Sequence, residues 1–242
     1  MNPQKLHHEI LPCAAVTAGQ RGAMYALFER CYDCVSRERF DADLNQKQFV
    51  VLLLNAEKEV KGFSTQQVIT HEHDGEMLNV LFSGDTVIDP ECWGTQELAR
   101  GWCAVAARIL RKEPERRLFW LLISKGFRTY LYLPLFFRTY WPCHACNAGP
   151  WIPMLARSIA ERQFGNGYDA TSGLIRFPNP CGQLKPDLAD IPVGRSDDPH
   201  VRFFLKHNPG YADGDELVCL AEVSLENTVC VGRRWLNRAL TS

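Results

Sequence analysis

The polar run Ser83-Gly84-Asp85-Thr86 is where residue type and spacing first point to chemistry. It interrupts the otherwise apolar stretch Met77–Ile88 (MLNVLFSGDTVI). A glycine inside a strand marks a bulge or a close ligand approach. A carboxylate set there, Asp85, is able to take a proton from an attacking amine or hydroxyl, directly or through water. A carboxylate hydrogen-bonded into a bulge, with no chemistry, would leave the same trace.

Other groupings are open to bland explanations. Cys31/Cys34 and Cys143/Cys146 form two Cys-x-x-Cys pairs that together could hold a structural zinc. Cys31 falls on an apolar helical stripe, however, where a thiol serves as a small hydrophobe. Mostly free thiols and no metal are therefore expected. His71, His73 and Asp74 have metal-compatible spacing but read as exposed residues of a turn between strands. Arg108, Arg111, Lys112, Arg116 and Arg117 could dock an acidic carrier or a phosphate, although most such runs are solvated helix ends. There is no Gly-x-Ser-x-Gly elbow, phosphate loop or dinucleotide fingerprint.

The elements that must position these residues follow from hydrophobic period. Met24, Leu27, Phe28, Cys31 and Val35 share one face of a helix predicted over 21–40, which the stretch FDADLNQK ends. Strands are predicted over Gln48–Leu54, Val60–Ile69 and Met77–Ile88, joined by short loops as an antiparallel meander. A helix over Trp93–Leu110 follows, with Pro114 beyond it. Leu118–Ser124 (LFWLLIS) is wholly apolar, as a strand covered on both faces would be, and pairs alongside the last meander strand. A helix follows Gly126, and another is predicted over Trp151–Phe164. Residues 165–199 read as long loops, and strands return at Glu216–Val223 and Thr228–Val231.

This order, with Lys61-Gly62-Phe63 opening the second meander strand, resembles the core of the GNAT (general N-acyltransferase) superfamily. The resemblance implies a loop after the third strand whose amides hold a donor's pyrophosphate at a helix N-terminus. Here that loop ends in Trp93, Gly94, Thr95 and Gln96. Unpaired N–H groups and the positive end of the helix dipole make such a place a general anion site. The family's Gln/Arg-x-x-Gly-x-Gly/Ala pattern is kept at Gly94 and departs at Gln96, which points away from a standard coenzyme A grip and toward an acyl carrier protein. Ser124 and Tyr132 match places where the family carries a polar residue and a tyrosine that protonates the departing thiolate. The family also opens its sheet for the thioester arm at a disrupted strand, which makes Ser83 and Asp85, with Tyr132, the expected catalytic residues. Phe40-Asp41-Ala42-Asp43-Leu44 resembles the acidic stretch of acyl-homoserine-lactone and N-acyl amino acid synthases, implying Asp41 and Asp43, with Ser124, beside the acceptor. Capping and turn roles would explain the two aspartates equally well.

Composition is that of an ordinary globular chain: 242 residues, 46% hydrophobic, 23% charged and a net charge of −1. The balance of 27 basic and 28 acidic residues lacks the surplus of a general nucleic-acid binder. The opening MNPQKLHHEILPCAAV does not read as a secretory signal, and Lys125 and Arg128 interrupt the most apolar stretch, so no transmembrane segment and a cytoplasmic location are expected. The expected protein has an α/β fold, with a GNAT-like core over 1–150 and a loop-rich extension over 151–242 packed on it. It would move a medium or long acyl chain from a coenzyme A or acyl-carrier-protein thioester to an amine or hydroxyl of a small molecule, with no tightly bound cofactor. The apolar run Leu131–Phe137 could line the acyl tunnel. The alternative is a non-catalytic relative that binds an acyl carrier or another protein.

Overall fold

The computed structural model describes residues 5–177 and 182–241. The chain begins with β1 (His7–Pro12), α1 (Ala18–Cys31), β2 (Tyr32–Asp33), α2 (Arg37–Gln46), β3 (Phe49–Leu54), β4 (Val60–His73) and β5 (Glu76–Ile88). It continues through α3 (Glu97–Lys112), β6 (Leu118–Ser124), α4 (Phe127–Tyr130), α5 (Tyr132–Phe136), α6 (Trp151–Phe164), β7 (Tyr168–Asp169) and β8 (Leu174–Ile175). Then come β9 (Gln183–Leu184), α7 (Pro186–Ala189), α8 (Pro199–His207), β10 (Glu216–Glu222) and α9 (Cys230–Thr241).

Among the described residues, eight strands form one sheet in the order β1-β3-β4-β5-β6-β10-β8-β7. β5 and β6 run parallel, and the other neighbours are antiparallel. This is the expected α/β arrangement, an antiparallel meander followed by a helix and a buried strand. Alternation along β6 shows why that strand is apolar throughout. Leu118, Trp120 and Leu122 join the core on one face, while Phe119 and Leu121 join the core on the other.

The first face is covered by α3, α5, α8 and α9 through residues such as Val105, Phe136, Phe204 and Leu236. Two separate clusters cover the second face. One packs α1 and α2 on β3 through Met24, Leu27, Phe40 and Leu44. The other seats Leu155 and Ile159 of α6 on β5, β6 and β10. The space between these two clusters becomes part of the site.

Several expectations are corrected. The helix predicted over 21–40 is two helices, because Tyr32 leaves α1 in extended conformation and pairs with Leu184. Cys34 then adopts a φ of 56°, and the Ser36 hydroxyl accepts from the Arg39 amide to cap α2. The acidic stretch 41–44 thus lies inside α2. His71 and His73 belong to β4 and are not in the turn, which tightens to Asp74-Gly75 with φ values of 52° and 80°. No strand forms over Thr228–Val231. Thr228 makes one bridge with Phe137, and the chain enters α9 at Cys230. Helix α8 and strand β1 were not expected at all.

Candidate functional site

The sheet opens where β5 leaves β6. Their pairing runs from Asn79 opposite Leu118 to Ser83 opposite Leu122. Beyond it β5 continues to Ile88 with no strand along that edge among the described residues, while β6 ends at Ser124. A bulge accompanies the divergence. Ser64 faces Thr86 and Gln66 faces Ser83, so Gly84 and Asp85 together oppose Thr65. Bulges bend and twist a strand locally and re-aim its side chains. Gly84 lets these side chains close in, since a Cβ would lie 2.7 Å from both Lys47 Cε and Thr65 Oγ1 and one of them would have to shift. Ser83 anchors the point of divergence from the interior: its hydroxyl donates to Gln66 Oε1 and accepts from Trp120 Nε1, both at 2.8 Å.

Two cavities meet at this opening. The first, of about 640 Å³, runs between the free edge of β5, the loop Trp93–Gln96 and the segment after Gly126. Its lining includes two cations, Arg128 and Arg195, and no carboxylate among the described residues. The second, of about 540 Å³, occupies the space between the α1–α2 and α6 layers. Asp43, Lys47, Asp85, Lys125 and Glu216 line it with several phenylalanines. Tyr32, Thr86 and Thr129 line both cavities.

In the first cavity Gly94 takes a φ of 90°, a left-handed conformation that favours glycine. The Trp93 indole donates to the Ile88 carbonyl at 3.1 Å, and the Arg128 guanidinium lies 4.3 Å from its ring centroid. Gln96 stands at the N-cap of α3; the Glu97 amide donates to Thr95 Oγ1 at 3.3 Å, and the amides that follow in the first turn have no partner within the helix. Arg128 also donates to the Leu188 carbonyl at 2.7 Å, which ties α4 to α7 across the cavity. Tyr132 lines the same wall, stacked on Phe136, and burial raises its phenol pKa. Leu131 and Leu135 line it too, whereas Leu133 turns into the core.

The second cavity is organised around charge. Lys47 pairs with Asp43 at 2.6 Å and Lys125 with Glu216 at 3.0 Å. Asp85 forms no ion pair among the described residues. Burial, then the charge of Asp43, push its pKa up to about 6, against the pull of Lys125 and Lys47. Glu216 adds to the upward push. A carboxylate of that basicity is largely ionised at neutral pH and still able to accept a proton.

Not every expected residue reaches these cavities. Asp85, Tyr132, Asp43 and the Trp93–Gln96 loop do. Asp41 lines neither; its carboxylate accepts from Arg37 at 2.7 Å and from Arg21 at 3.2 Å. Ser83 and Ser124 are buried and line neither. Ser124 donates to the Gly126 carbonyl at 2.9 Å and shapes the turn into α4. Sequence reasoning missed Tyr32, Lys47, Arg195 and Glu216 as site residues. Lys125 and Arg128 did leave a signal, as charges inside an apolar stretch.

Cys143 and Cys146 are joined by a disulfide, an exception within the mostly free thiols expected. Cys31 lines the first cavity and Cys34 the second. Among the described residues, no group of three or more His, Cys, Asp or Glu could hold a metal ion. None of their helices is long and apolar enough to cross a membrane.

The site is thus a mixed sheet whose two central strands part after Ser83 and Leu122, with two cavities beside the opening that share Tyr32, Thr86 and Thr129. No family model and no curated protein matches the sequence. Among solved structures, a probable N-acyltransferase from Enterococcus faecalis is similar over 56% of this chain and 33% of its own, at 12% identity and a TM-score of 0.42. A GCN5-related N-acetyltransferase from Kribbella flavida is similar over 57% and 34%, at 12% identity and a TM-score of 0.41. A GNAT family N-acetyltransferase from Escherichia coli, in complex with CoA, is similar over 52% and 67%, at 17% identity and a TM-score of 0.35. The chain thus spans about a third of the length of the first two. The latter two carry the name of the superfamily that the sequence resembles, at a level of likeness from which shared activity does not follow.

Proposed function

We propose that this protein is an acyltransferase that moves an acyl group from a thioester donor to an amine or hydroxyl acceptor. One observation carries the reading: the anion-friendly cavity and the carboxylate-bearing cavity meet at the opening of the sheet, sharing Tyr32, Thr86 and Thr129. The donor, a coenzyme A or carrier-protein thioester, lies in the first cavity. Its phosphates face Arg128, Arg195 and the start of α3, and its thioester reaches the shared residues. The apolar wall at Leu131, Leu135 and Trp235 supports a medium or long acyl chain. The acceptor enters the second cavity and loses its proton to Asp85 as it attacks the carbonyl carbon. Unpaired amides on the free edge of β5 are available to the developing oxyanion. The departing sulfur takes a proton from a tyrosine of the donor cavity. Tyr132 is the residue expected from the sequence, while the shared position favours Tyr32.

Thermal unfolding with coenzyme A and with acyl-coenzyme A of rising chain length tests donor binding. A ligand at about a hundred times its Kd adds roughly 2.7 kcal/mol of stability, so a clear rise in Tm that grows with chain length is expected. Tyr32→Phe and Tyr132→Phe then locate the acid: one of them should lower kcat by about 10²-fold while the other leaves it nearly unchanged. Donor binding without turnover against any amine or hydroxyl acceptor would instead favour a non-catalytic binding protein.

A further inference from the structure

Helices α3 and α9 pack side by side on the first face, and the Arg111 guanidinium donates to the Ala239 carbonyl at 2.7 Å between them. Their charge is heavily one-sided. Arg100, Arg108, Arg111 and Lys112 on α3 and Arg233, Arg234 and Arg238 on α9 are all exposed. Against these seven cations the two helices carry a single carboxylate, Glu97, which is already paired with His8 and Arg100. Among the described residues, Arg108, Lys112, Arg233, Arg234 and Arg238 form no ion pair. Arg116 and Arg117, grouped with α3 in the sequence, are not part of this surface, because Glu113, Glu76 and Glu222 hold them. The chain as a whole is balanced at 27 basic and 28 acidic residues, so the concentration on two helices is a local segregation of charge.

The patch adjoins the donor cavity. Trp235 and Val231 of α9 and Ala99 and Gln96 at the start of α3 line that cavity, and Arg100 stacks on the Trp235 ring at 5.3 Å from its centroid. Leu135, more than half exposed, lies on the same cavity's wall. A small free donor would fill the cavity and leave the cations along the two helices without a counterpart. A donor carried on a protein would engage both, its arm in the cavity and its acidic body on the helices.

We propose that the α3–α9 face docks an acidic carrier protein that delivers the thioester on a flexible phosphopantetheine arm. This rests on the transfer reading above and names its donor. The partner is a protein with an acidic helical surface, held by several exposed charge pairs that salt screens strongly.

The test uses the full chain and a purified phosphopantetheinylated acyl carrier protein. Fluorescence anisotropy should give a Kd that weakens at least about tenfold between roughly 50 and 300 mM salt. The triple variant Arg233→Glu, Arg234→Glu, Arg238→Glu should weaken it by at least about tenfold more at low salt. The same variant, checked by its melting curve, should keep the wild-type kcat/KM for acyl-coenzyme A while losing turnover of the carrier-bound donor. Carrier binding that ignores both salt and charge reversal overturns the proposal. So does an absence of carrier binding in a protein that turns over acyl-coenzyme A, and in that case the transfer reading stands. Absence of carrier binding together with no response to any thioester overturns both. Duplex DNA or anionic vesicles binding the patch where the carrier protein does not would assign the surface to a different partner and overturn it as well.

Discussion

Asp85 carries an unfavourable charge for the sake of its position. Its folded pKa of about 6 lies above the ordinary aspartate value of 3.8, so the folded protein holds this proton more tightly than the unfolded chain does. Ionised Asp85 therefore destabilises the fold above about pH 6, and the penalty disappears as pH falls toward 4. Asp85→Asn should lower kcat by at least about 10²-fold and raise stability at pH 8 by on the order of 2 kcal/mol. Melting curves at pH 8 and pH 4.5 check this, since the gain should shrink at the lower pH. For the wild type, kcat/KM should rise with pH through an apparent pKa of about 6. Lys47→Met removes a cation that favours the ionised carboxylate, so the rising limb should move to higher pH. An unmoved limb would mean that the profile belongs to a different group.

At the scale of elements, α3 joins the meander to the donor cavity, and its seat is tight. A Cβ at Gly101 would collide with the Val51 side chain and lie 3.2 Å from the His8 ring. Gly101→Ala should cost about 1–3 kcal/mol in urea unfolding while kcat survives in the fraction that remains folded. Elements with a strong period of their own were legible in the sequence. β3 and β6 differ from expectation by at most one residue, and α6 matches it end to end. The break between α1 and α2 was not legible, because the apolar stripe continues through Cys31 to Val35 and only pairing with the distant Leu184 pulls Tyr32 out of the helix. β1 (HHEILP) lacks a clean alternation and gains its identity from β3 alone. The same division holds for the site. Asp85, Gly94 and Tyr132 stand in local patterns along the chain, and all three line a cavity. Lys47, Arg195 and Glu216 become site residues only when α2, the segment after α7 and β10 converge, which no local spacing records.

Across the whole molecule, the stretch after residue 150 completes the sheet. β10 pairs with β6 over six residues and buries Val218 and Leu220 against α6. Glu216 at its start supplies the partner of Lys125 in the second cavity. A fragment of residues 1–150 would expose the apolar edge of β6 and the face of it that α6 covers, so it should show no cooperative thermal transition by circular dichroism. A cooperative melt would mean that the meander and α3 are a folding unit by themselves. The meeting of the two cavities at Tyr32, Thr86 and Thr129 also has a bearing on rate laws. On the proposed transfer, a donor lodged in one cavity and an acceptor in the other would touch without either having to leave first. Among the described residues Cys31 is the one thiol that lines the first cavity, and burial, which raises its pKa, keeps it protonated and a poor relay for an acyl group. Double-reciprocal plots of initial rate at several fixed acceptor concentrations should therefore converge to the left of the ordinate. Parallel lines would mean that the enzyme is modified and the first product departs before the second substrate arrives, and the opening in the sheet would then be a corridor used in turns.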